Sequence, residues 1–369
     1  MPKNIVICCD GTNNQFAGHH TNVIRTYKVA VDGPTQVCFY DPGVGTMPEP
    51  WETTQLGKRW SMIKGLAFGS GFLDNIADAY RFLMENYEED DQVFLFGFSR
   101  GAFTVRALAG MLHSVGLLLP GIDHLVPYAL SYWQNDRGTG TPGGDLCLEF
   151  KSTLARPCPV HFIGVWDTVG SVGFFNHFKS FPYTYHNPEV AHVRHAVSVD
   201  ERRCCFRQNL MGPDDSLPKQ DIKNVWFAGV HSDVGGGYDP QESGLAKLTF
   251  KWMMREAQLF GLQIDPAALD HEVNQVGEKP NPLGTLHVSL TWAWWLIEFL
   301  PTQRYSFADH QKHWRLSLGS PRGVLRDAAQ PFVYLHESVI TRIKAGIDYR
   351  PKNLPLEETT LRSTFKIVA

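Results

Sequence analysis

Length, composition and charge exclude several classes of protein. The 369 residues are 43% hydrophobic, 12% aromatic and 20% charged, which is globular composition with ample material for a large core in one or two domains. The formal net charge is only −4 and no long run of one sign occurs, so the sequence does not favour nucleic-acid binding. No apolar stretch is long enough to span a membrane as a helix.

The cysteines and the N-terminus favour a cytoplasmic protein. The seven cysteines are odd in number and include the adjacent pairs Cys8-Cys9 and Cys204-Cys205, which is not typical of a disulfide framework. No C-x-x-C spacing indicates a metal site, so a reducing compartment is the simplest interpretation. The first apolar run is too short for a signal peptide and ends at Asp10.

Before residue 91 the sequence predicts two strands and two helices. The strands cover Asn4 to Cys9 and Gln36 to Tyr40, and a short helix covers Asn22 to Ala30. Met47 to Gly65 is polar and irregular. A longer helix runs from about Gly71 to Tyr87, where apolar residues recur at helical spacing and leave one face for a sheet.

A nucleophile-elbow pattern follows at Gly97-Phe98-Ser99-Arg100-Gly101. The bulky apolar run Val93 to Phe96 predicts a buried strand before it, and small residues from Ala102 onward predict a helix after it. G-x-S-x-G between a strand and a helix places a serine on a tight, strained turn, with its hydroxyl above the sheet edge. Glycines are needed on both sides because larger side chains would collide with the neighbouring strand and helix. Ser99 is therefore the candidate nucleophile.

The middle of the chain supplies a second strand end with a polar residue. Pro120 to Pro157 holds glycine clusters and is interpreted as an insertion that could form a lid, at about residues 120–157. Val160 to Trp166 predicts a buried strand, and Asp167 follows it directly. Ala191 to Arg203 mixes helix and turn features and ends in the charged cluster 200–203, which is interpreted as a structural ion-pair network.

A third strand end carries a histidine. Val225 to Val230 predicts a buried strand, and His231 follows in the run HSDVGGGY. Three glycines in this run predict a tightly turning loop that lets the imidazole move into position. Gly244 to Phe260 then predicts a helix that packs on the sheet.

The three strand ends carry Ser99, Asp167 and His231, in the chain order that α/β-hydrolases use. His231 would accept the proton of the Ser99 hydroxyl, and Asp167 would orient the imidazole. This chemistry needs neither a metal nor an organic cofactor. Other histidines and aspartates remain open as alternatives to His231 and Asp167, namely His161, His192, His195, His287, Asp200, Asp221 and Asp233.

The loop after the first strand, Asp10-Gly11-Thr12, has three interpretations. It lies where ligands bind on a parallel sheet, so the N–H of Gly11 or Thr12 could be an oxyanion donor beside that of Arg100. It also resembles part of the D-x-D-G-T signature of haloacid-dehalogenase phosphatases, but Cys8 stands where the nucleophilic aspartate belongs. The third interpretation is a plain strand-to-loop turn.

Two other classes of function stay open. Asp10, Asp167, His231 and Asp233 could form a hard-metal site for hydrolysis, although this leaves the serine elbow unexplained. A hydrolase fold could also serve as a binding module without catalysis, but all three candidate triad residues are present, which argues against this interpretation.

A tryptophan-rich run, TWAWWLIEFLP, spans Thr291 to Pro301. It is too short to cross a bilayer, but Trp292, Trp294 and Trp295 could line an acyl pocket or touch a membrane surface. The alternative is a cap helix that is buried against the core.

Five segments together resemble a family of α/β-hydrolases long classed as a domain of unknown function, which includes type VI secretion lipase effectors with phospholipase activity. They are CCDGTNN, GFSRGAFTVRALAG, VWDTVGSVG, VDERR and HSDVGGGY, between about residues 4 and 240. The resemblance implies an α/β-hydrolase fold, with a mostly parallel sheet flanked by helices and the triad on Ser99, Asp167 and His231. It also implies hydrolysis of lipid acyl esters, while a smaller ester or a thioester stays open as substrate. Export by a type VI system would leave no signal peptide.

We therefore expect an α/β-hydrolase catalytic core at residues 1–260. Residues 261–369, which match no firm motif, are expected to form a C-terminal cap or extension packed on that core. The family's effectors are generally longer and carry extra membrane-binding modules, so the substrate does not follow from the resemblance.

Overall fold

The computed structural model describes residues 2–11, 19–43, 70–169, 181–212, 220–299, 302–306, 311–322, 333–346 and 348–369. Most of the segment that is predicted to be irregular, Met47 to Gly65, therefore lies outside the described residues, as does Thr12.

A parallel sheet of eight strands runs through the described part of the chain. The strands are β1 (Asn4–Cys9), β2 (Gln36–Asp41), β3 (Gln92–Phe98), β4 (Val160–Trp166), β5 (Val190–Ser198), β6 (Asp221–Phe227), β7 (Tyr334–His336) and β8 (Lys366–Val368). Their order across the sheet is β2-β1-β3-β4-β5-β6-β7-β8, and each neighbouring pair is parallel.

Helices cover both faces of the sheet, which confirms the predicted fold class. They are α1 (Asn22–Val29), α2 (Ser70–Asn86), α3 (Arg100–Val115), α4 (Val126–Asn135), α5 (Pro142–Leu154), α6 (His231–Gly235), α7 (Gly244–Leu259), α8 (Pro266–Asp270), α9 (Trp292–Glu298), α10 (Glu337–Lys344) and α11 (Glu358–Thr364).

Alternate residues of the central strands face two separate apolar cores. On one side, Ile5, Ile7 and Leu95 pack with residues of α2 to α5. On the other side, Val6 and Phe94 pack with residues of α1 and α7. Strands that are covered on both faces consist of nearly continuous apolar runs, which is why the sequence predicts β1, β3 and β4 closely. The strand predicted at Val225 to Val230 lies earlier, at Asp221–Phe227.

The order of the strands places the carboxyl ends of β1 and β3 side by side. Connections leave these two strands in opposite directions across the sheet, since β2 lies beyond β1 and β4 lies beyond β3. In open parallel sheets, such a point forms a crevice at the carboxyl edge, where ligands bind. Ser99 follows β3 at this crevice.

The predicted insertion at about 120–157 contains two helices, α4 and α5, although the sequence predicted a less regular region there. In α4 the side chain of Trp133 is fully buried, and its ring stacks on Phe181 at a centroid distance of 5.1 Å. The side chain of Thr141 caps α5 by accepting the N–H of Gly144 at 3.1 Å. The glycines of this region therefore mark turns and a helix start.

The prediction of mixed helix and turn for Ala191 to Arg203 was wrong, because most of this stretch is the buried strand β5. Its polar residues have partners that lie far along the chain. The Arg194 guanidinium, 1% exposed, lies 2.5 Å from carboxylate oxygens of both Glu256 and Asp221. These ion pairs allow a charged side chain inside a central strand, which no local pattern reveals.

The C-terminal part of the chain adds β7 and β8 to the edge of the sheet. A third apolar cluster packs around them and includes Trp226 of β6 together with Leu335, Leu361 and Phe365. The division into residues 1–260 and 261–369 stays a prediction, and both parts contribute strands to the same sheet.

Candidate active site

Ser99 lies on the turn between β3 and α3, in a conformation that favours glycine. Its φ is 58° and its ψ is −120°, and this strained turn lifts the side chain out of the sheet. A Cβ atom on Gly97 would lie 2.6 Å from the carbonyl oxygen of Gly101. A Cβ atom on Gly101 would overlap the carbonyl oxygens of Cys9 and Asp10. The two glycines are therefore required by the close approach of the turn to α3 and β1.

His231 is the first residue of α6, directly after the strand-to-helix turn that follows β6. The sequence predicted a glycine-rich loop here, but His231–Gly235 forms one helical turn, which ends at Gly236 with a φ of 85°. The Nε2 atom of His231 lies 2.8 Å from the Oγ atom of Ser99. The imidazole can therefore accept the hydroxyl hydrogen directly.

Two phenylalanines flank the His231 ring. The ring centroid of Phe98 lies 4.6 Å from that of the imidazole, and the ring centroid of Phe206 lies 4.9 Å from it. His231 is only 5% exposed as a result. These contacts limit the orientations that the imidazole can adopt.

Asp167 follows β4 with a φ of 39° and is 1% exposed. Its Oδ2 atom lies 2.6 Å from Nδ1 of His231. Its Oδ1 atom accepts hydrogen bonds from the N–H of Ser198 at 2.9 Å, from the Ser198 hydroxyl at 3.0 Å and from Nη1 of Arg322 at 2.5 Å. Oδ2 of Asp167 therefore orients the imidazole, while Oδ1 is held in place by Ser198 and Arg322.

Burial and neighbouring charges set the protonation of this group. Burial by itself would raise the pKa of Asp167, but Arg322 and His231 hold that pKa well below its usual range. Burial lowers the pKa of His231, and Asp167 partly opposes this effect. Asp167 is therefore ionised and His231 neutral at pH 7. An ionised carboxylate only accepts, so the Nδ1–H of His231 donates to it, and Nε2 is left to accept from Ser99.

The charged cluster 200–203 braces the turn that carries His231. Oε2 of Glu201 accepts the N–H of His231 at 3.2 Å and pairs with Nη2 of Arg203 at 2.9 Å. Burial would raise the pKa of Glu201, but Arg203 lowers it to about 2. Oδ2 of Asp200 accepts the N–H of Gly229 at 2.7 Å, just before the same turn.

The predicted oxyanion donors differ in availability. The N–H of Arg100 lies in the first turn of α3, where the helix itself supplies no acceptor. The N–H of Gly11 donates to Oδ1 of its neighbour Asp10 at 2.7 Å and is therefore engaged in this structure. The third predicted donor, Thr12, lies outside the described residues.

The alternative histidines lie elsewhere. His161 and His192 belong to the first halves of β4 and β5, away from the carboxyl edge, and both contact Phe260. His195 is fully buried, and its Nε2 accepts the N–H of Thr168 at 3.1 Å. It therefore supports the loop after Asp167 without reaching Ser99.

The remaining alternatives are paired with other groups. Nδ1 of His287 lies 2.6 Å from Oδ1 of Asp233, whose Oδ2 accepts the N–H of Val230 at 3.0 Å. Asp221 is the partner of Arg194 at the start of β6. The structure thus brings together Ser99, Asp167 and His231 and leaves the alternative acids and histidines outside this chain of contacts.

The geometry does not favour the alternative metal site. Oδ2 of Asp10 accepts from the hydroxyl of Thr21 at 2.5 Å, and the carboxylates of Asp167 and Asp233 are engaged by His231 and His287. Within the described ranges, no group of three histidine, cysteine, aspartate or glutamate residues could hold a metal ion.

The tryptophan-rich run forms α9, and its three tryptophans differ in exposure. Trp292 is 81% exposed and Trp295 is 37% exposed. Trp294 instead packs on Phe206 at a centroid distance of 5.5 Å and under the guanidinium of Arg203. Trp294 therefore packs inward, as the cap-helix interpretation predicts, while Trp292 faces solvent. Contact of the run with lipid or with a membrane stays a prediction. None of the helices in the described ranges is long and apolar enough to cross a membrane.

Three exposed apolar side chains of the described residues lie on α9 and directly after it. We call this set the aromatic surface, and it comprises Trp292, Trp295 and Phe299. Trp294 of the same helix contacts Phe206, whose ring packs on His231, so α9 connects the aromatic surface to the active site.

Sequence reasoning missed two residues that contribute to the site. Arg322 lies 155 positions from Asp167 in an irregular segment without a motif, so no local signal identifies it. Glu298, with 0% exposure, accepts the N–H groups of Cys204 at 2.5 Å and Gly319 at 3.0 Å. A lone acid inside the apolar run WAWWLIEFL was a signal for this second residue, because buried acids require partners.

Part of the chain is similar in sequence to a known protein. A curated protein of Saccharomyces cerevisiae, the uncharacterized protein YEL023C, is 36% identical over 233 residues, which are 59% of this chain and 34% of the yeast protein. The chain thus spans about a third of the length of that relative.

Two solved structures show weaker similarity. An uncharacterized protein from Pseudomonas aeruginosa matches with a TM-score of 0.43 and 18% identity, over 73% of this chain and 47% of that one. The thermophilic esterase Est2 of Thermogutta terrifontis matches with a TM-score of 0.37 and 12% identity, over 76% of this chain and 85% of the esterase. The family assignment depends on sequence, not on these scores.

A family model matches residues 3–256, which include the elbow, the strand end at Asp167 and the turn at His231. This match confirms the resemblance that the five segments indicated, and with it the α/β-hydrolase fold. Because the match covers most of the chain, the protein belongs to the family described as the T6SS phospholipase effector Tle1-like catalytic domain.

Proposed function

We propose that the protein is a serine hydrolase of carboxylic esters that acts through an acyl-Ser99 intermediate. The observation that supports this most directly is the continuous chain of contacts from Ser99 through His231 to Asp167, at 2.8 Å and 2.6 Å. Family membership supports a hydrolase of the lipase or esterase type.

In the first step, Oγ of Ser99 attacks the acyl carbon while Nε2 of His231 takes the hydroxyl proton. The ester bond breaks, and the imidazolium gives this proton to the leaving alcohol. A water molecule then attacks the acyl-enzyme with His231 again as the base, which releases the acid and restores Ser99. Asp167 stabilises the imidazolium in both steps through Nδ1.

The developing oxyanion needs hydrogen-bond donors that are oriented before the reaction. We assign one of them to the N–H of Arg100, in the first turn of α3. Gly11 could contribute the second only after its N–H leaves the carboxylate of Asp10. We therefore expect the contact between Asp10 and Gly11 to rearrange on substrate binding.

The substrate that we propose is lipid-like, a phospholipid or another long-chain ester. The family description names phospholipase effectors. The aromatic surface belongs to the segment of α9, and this helix contacts the active site because Trp294 packs on Phe206, which packs on His231. Exposed tryptophans favour the interface between water and lipid, where an apolar ring with a polar N–H is stabilised. We therefore propose peripheral membrane contact through Trp292 and Trp295.

A fluorophosphonate probe tests the proposed nucleophile. Wild type should be labelled covalently, whereas Ser99→Ala should not. Ser152→Ala is a matched control, because Ser152 is an exposed serine on α5 and its loss should leave labelling unchanged. Folded wild type that stays unlabelled, even with detergent present to open any cover over the site, would contradict the proposal and favour a binding module. Hydrolysis that survives Ser99→Ala but stops with a chelator would favour a metal-dependent hydrolase.

A further inference from the structure

A residue beyond the part of the chain that the family model matches reaches the proposed catalytic acid. The model match ends at residue 256, whereas Arg322 lies 6% exposed beside Asp167. Nη1 of Arg322 is 2.5 Å from Oδ1 of Asp167 and 2.7 Å from the hydroxyl oxygen of Ser198. The guanidinium thus contacts the carboxylate oxygen that His231 does not use.

The other atoms of Arg322 are fixed as well. Its Nε donates to the carbonyl oxygen of Phe206 at 2.8 Å, and Nη2 donates to the same oxygen. Its own carbonyl oxygen accepts Nδ2 of Asn353 at 2.9 Å, and the same amide donates to the carbonyl oxygen of Val199 at 2.9 Å. Phe206 of the matched region and Asn353 of the C-terminal part therefore hold this arginine in place from two sides.

These contacts give Arg322 two effects on the proposed catalytic group. It compensates the buried charge of Asp167, which would otherwise have only the neutral donors of Ser198 on Oδ1. It also holds the backbone of Phe206, whose ring packs against the imidazole of His231. Arg322 therefore stabilises the ionised form of Asp167 and holds Phe206, which packs against the His231 ring.

We propose that Arg322 is a positioning residue of the active site, and that the catalytic unit therefore includes the C-terminal part of the chain. This inference rests on the function that is proposed above. Through the contact between Arg322 and Asp167, a segment outside the matched region would set the orientation and the ionisation of Asp167. A chain that ends near residue 256 would then fold, if at all, with an incomplete site.

The pH dependence distinguishes positioning from a purely structural role. The charged and titratable groups around the pair are Arg322, Glu201, Arg203 and His195. Removal of the Arg322 cation favours the protonated form of the coupled Asp167–His231 pair, whichever residue carries the proton. The pH below which the imidazole no longer acts as a base should therefore rise.

We would measure the rate of fluorophosphonate labelling of Ser99 from about pH 5 to pH 9. In Arg322→Met, the acid limb of the pH–rate profile should move upward by about one pH unit. At a pH below the wild-type midpoint, the labelling rate should therefore fall about tenfold. Arg322→Lys should return the limb towards wild type because the charge is kept. The plateau rate at high pH should be below that of wild type in both variants, because neither side chain reproduces the fork of contacts to Asp167 and Phe206.

Arg342→Met is the matched control. Arg342 is also 6% exposed and donates to two backbone carbonyl oxygens, those of Pro282 at 2.9 Å and Gly284 at 2.8 Å, without touching the site. Its loss should lower the melting temperature and leave the acid limb unchanged. Circular dichroism melts of all variants would show which of them fold.

A folded Arg322→Met variant with the wild-type limb and plateau would overturn the inference. If Arg322→Met does not fold, Arg322→Lys decides, since a wild-type plateau in that variant would overturn the inference and a lowered plateau would support it. Wild type that the probe does not label would instead contradict the proposed function, so the two failures are distinguishable.

Discussion

The Nε2 atom of His231 lies 2.8 Å from the Oγ atom of Ser99, although 132 positions separate the two residues in the chain. The turn after β3 raises the serine above the sheet, and the turn after β6 brings the imidazole over it. Two strands lie between β3 and β6 in the sheet. The contact therefore depends on side chains that reach across the carboxyl edge of the sheet.

Activity should persist at a pH below the usual pKa of histidine. His231 must be neutral to act as a base, and burial lowers its pKa below 6.5. Activity is therefore present above that lowered pKa and is lost as the pH falls through it. The profile of kcat/KM on a short soluble ester should show an acid limb with its midpoint below pH 6.5. A midpoint above the ordinary value would contradict the assigned environment of His231.

Asp167→Asn should lower kcat by about 10³- to 10⁴-fold. The amide oxygen can still accept from Arg322 and Ser198, which turns the amide N–H towards His231. Nδ1 would then have to accept, and the proton would move to Nε2, which could no longer take the proton of Ser99. Steady-state kinetics on a soluble ester would measure the loss. Asp221→Asn is the control, because Asp221 pairs with Arg194 away from the site, and kcat should not change.

Gly101→Ala should destabilise the protein strongly or prevent it from folding. The added Cβ would overlap the carbonyl oxygens of Cys9 and Asp10, so the elbow would have to move away from β1. Overpacking of this kind costs about 1–3 kcal/mol, and more where backbone has to shift. Gly33→Ala is the matched control, because nothing lies within 4 Å of its Cβ position. Urea unfolding of both variants tests this, and equal midpoints would contradict the prediction.

Two tryptophans of α9 should respond differently to substitution. Trp292→Ser should reduce hydrolysis of phospholipid vesicles and leave a short soluble ester unaffected, because this side chain is 81% exposed. Trp294→Ser should reduce both activities, since its ring packs on Phe206 next to His231. The comparison needs rates on the two substrates for each variant. Equal losses on both substrates with Trp292→Ser would mean that this residue supports the fold rather than lipid contact.

The wrong prediction for β5 shows where local patterns stop being informative. The run AHVRHAVSV contains Arg194 and His195, which broke the apolar pattern that identified the neighbouring strands. In the folded protein, Arg194 pairs with Glu256 and Asp221, and His195 is hydrogen-bonded to Thr168. Polar residues are tolerated in a buried strand only when partners reach them, and those partners lie far away in the sequence.

The sequence by itself determined the apolar strands, the elbow around Ser99 and the chain order of three polar strand ends, because each of these depends on neighbouring residues. The tertiary structure decided that Arg322 reaches Asp167, that the N–H of Gly11 is engaged by Asp10, and that short strands near the C-terminus extend the sheet. The physical reason is that a buried charge or a three-residue strand is stable only through partners that folding brings to it from elsewhere in the chain.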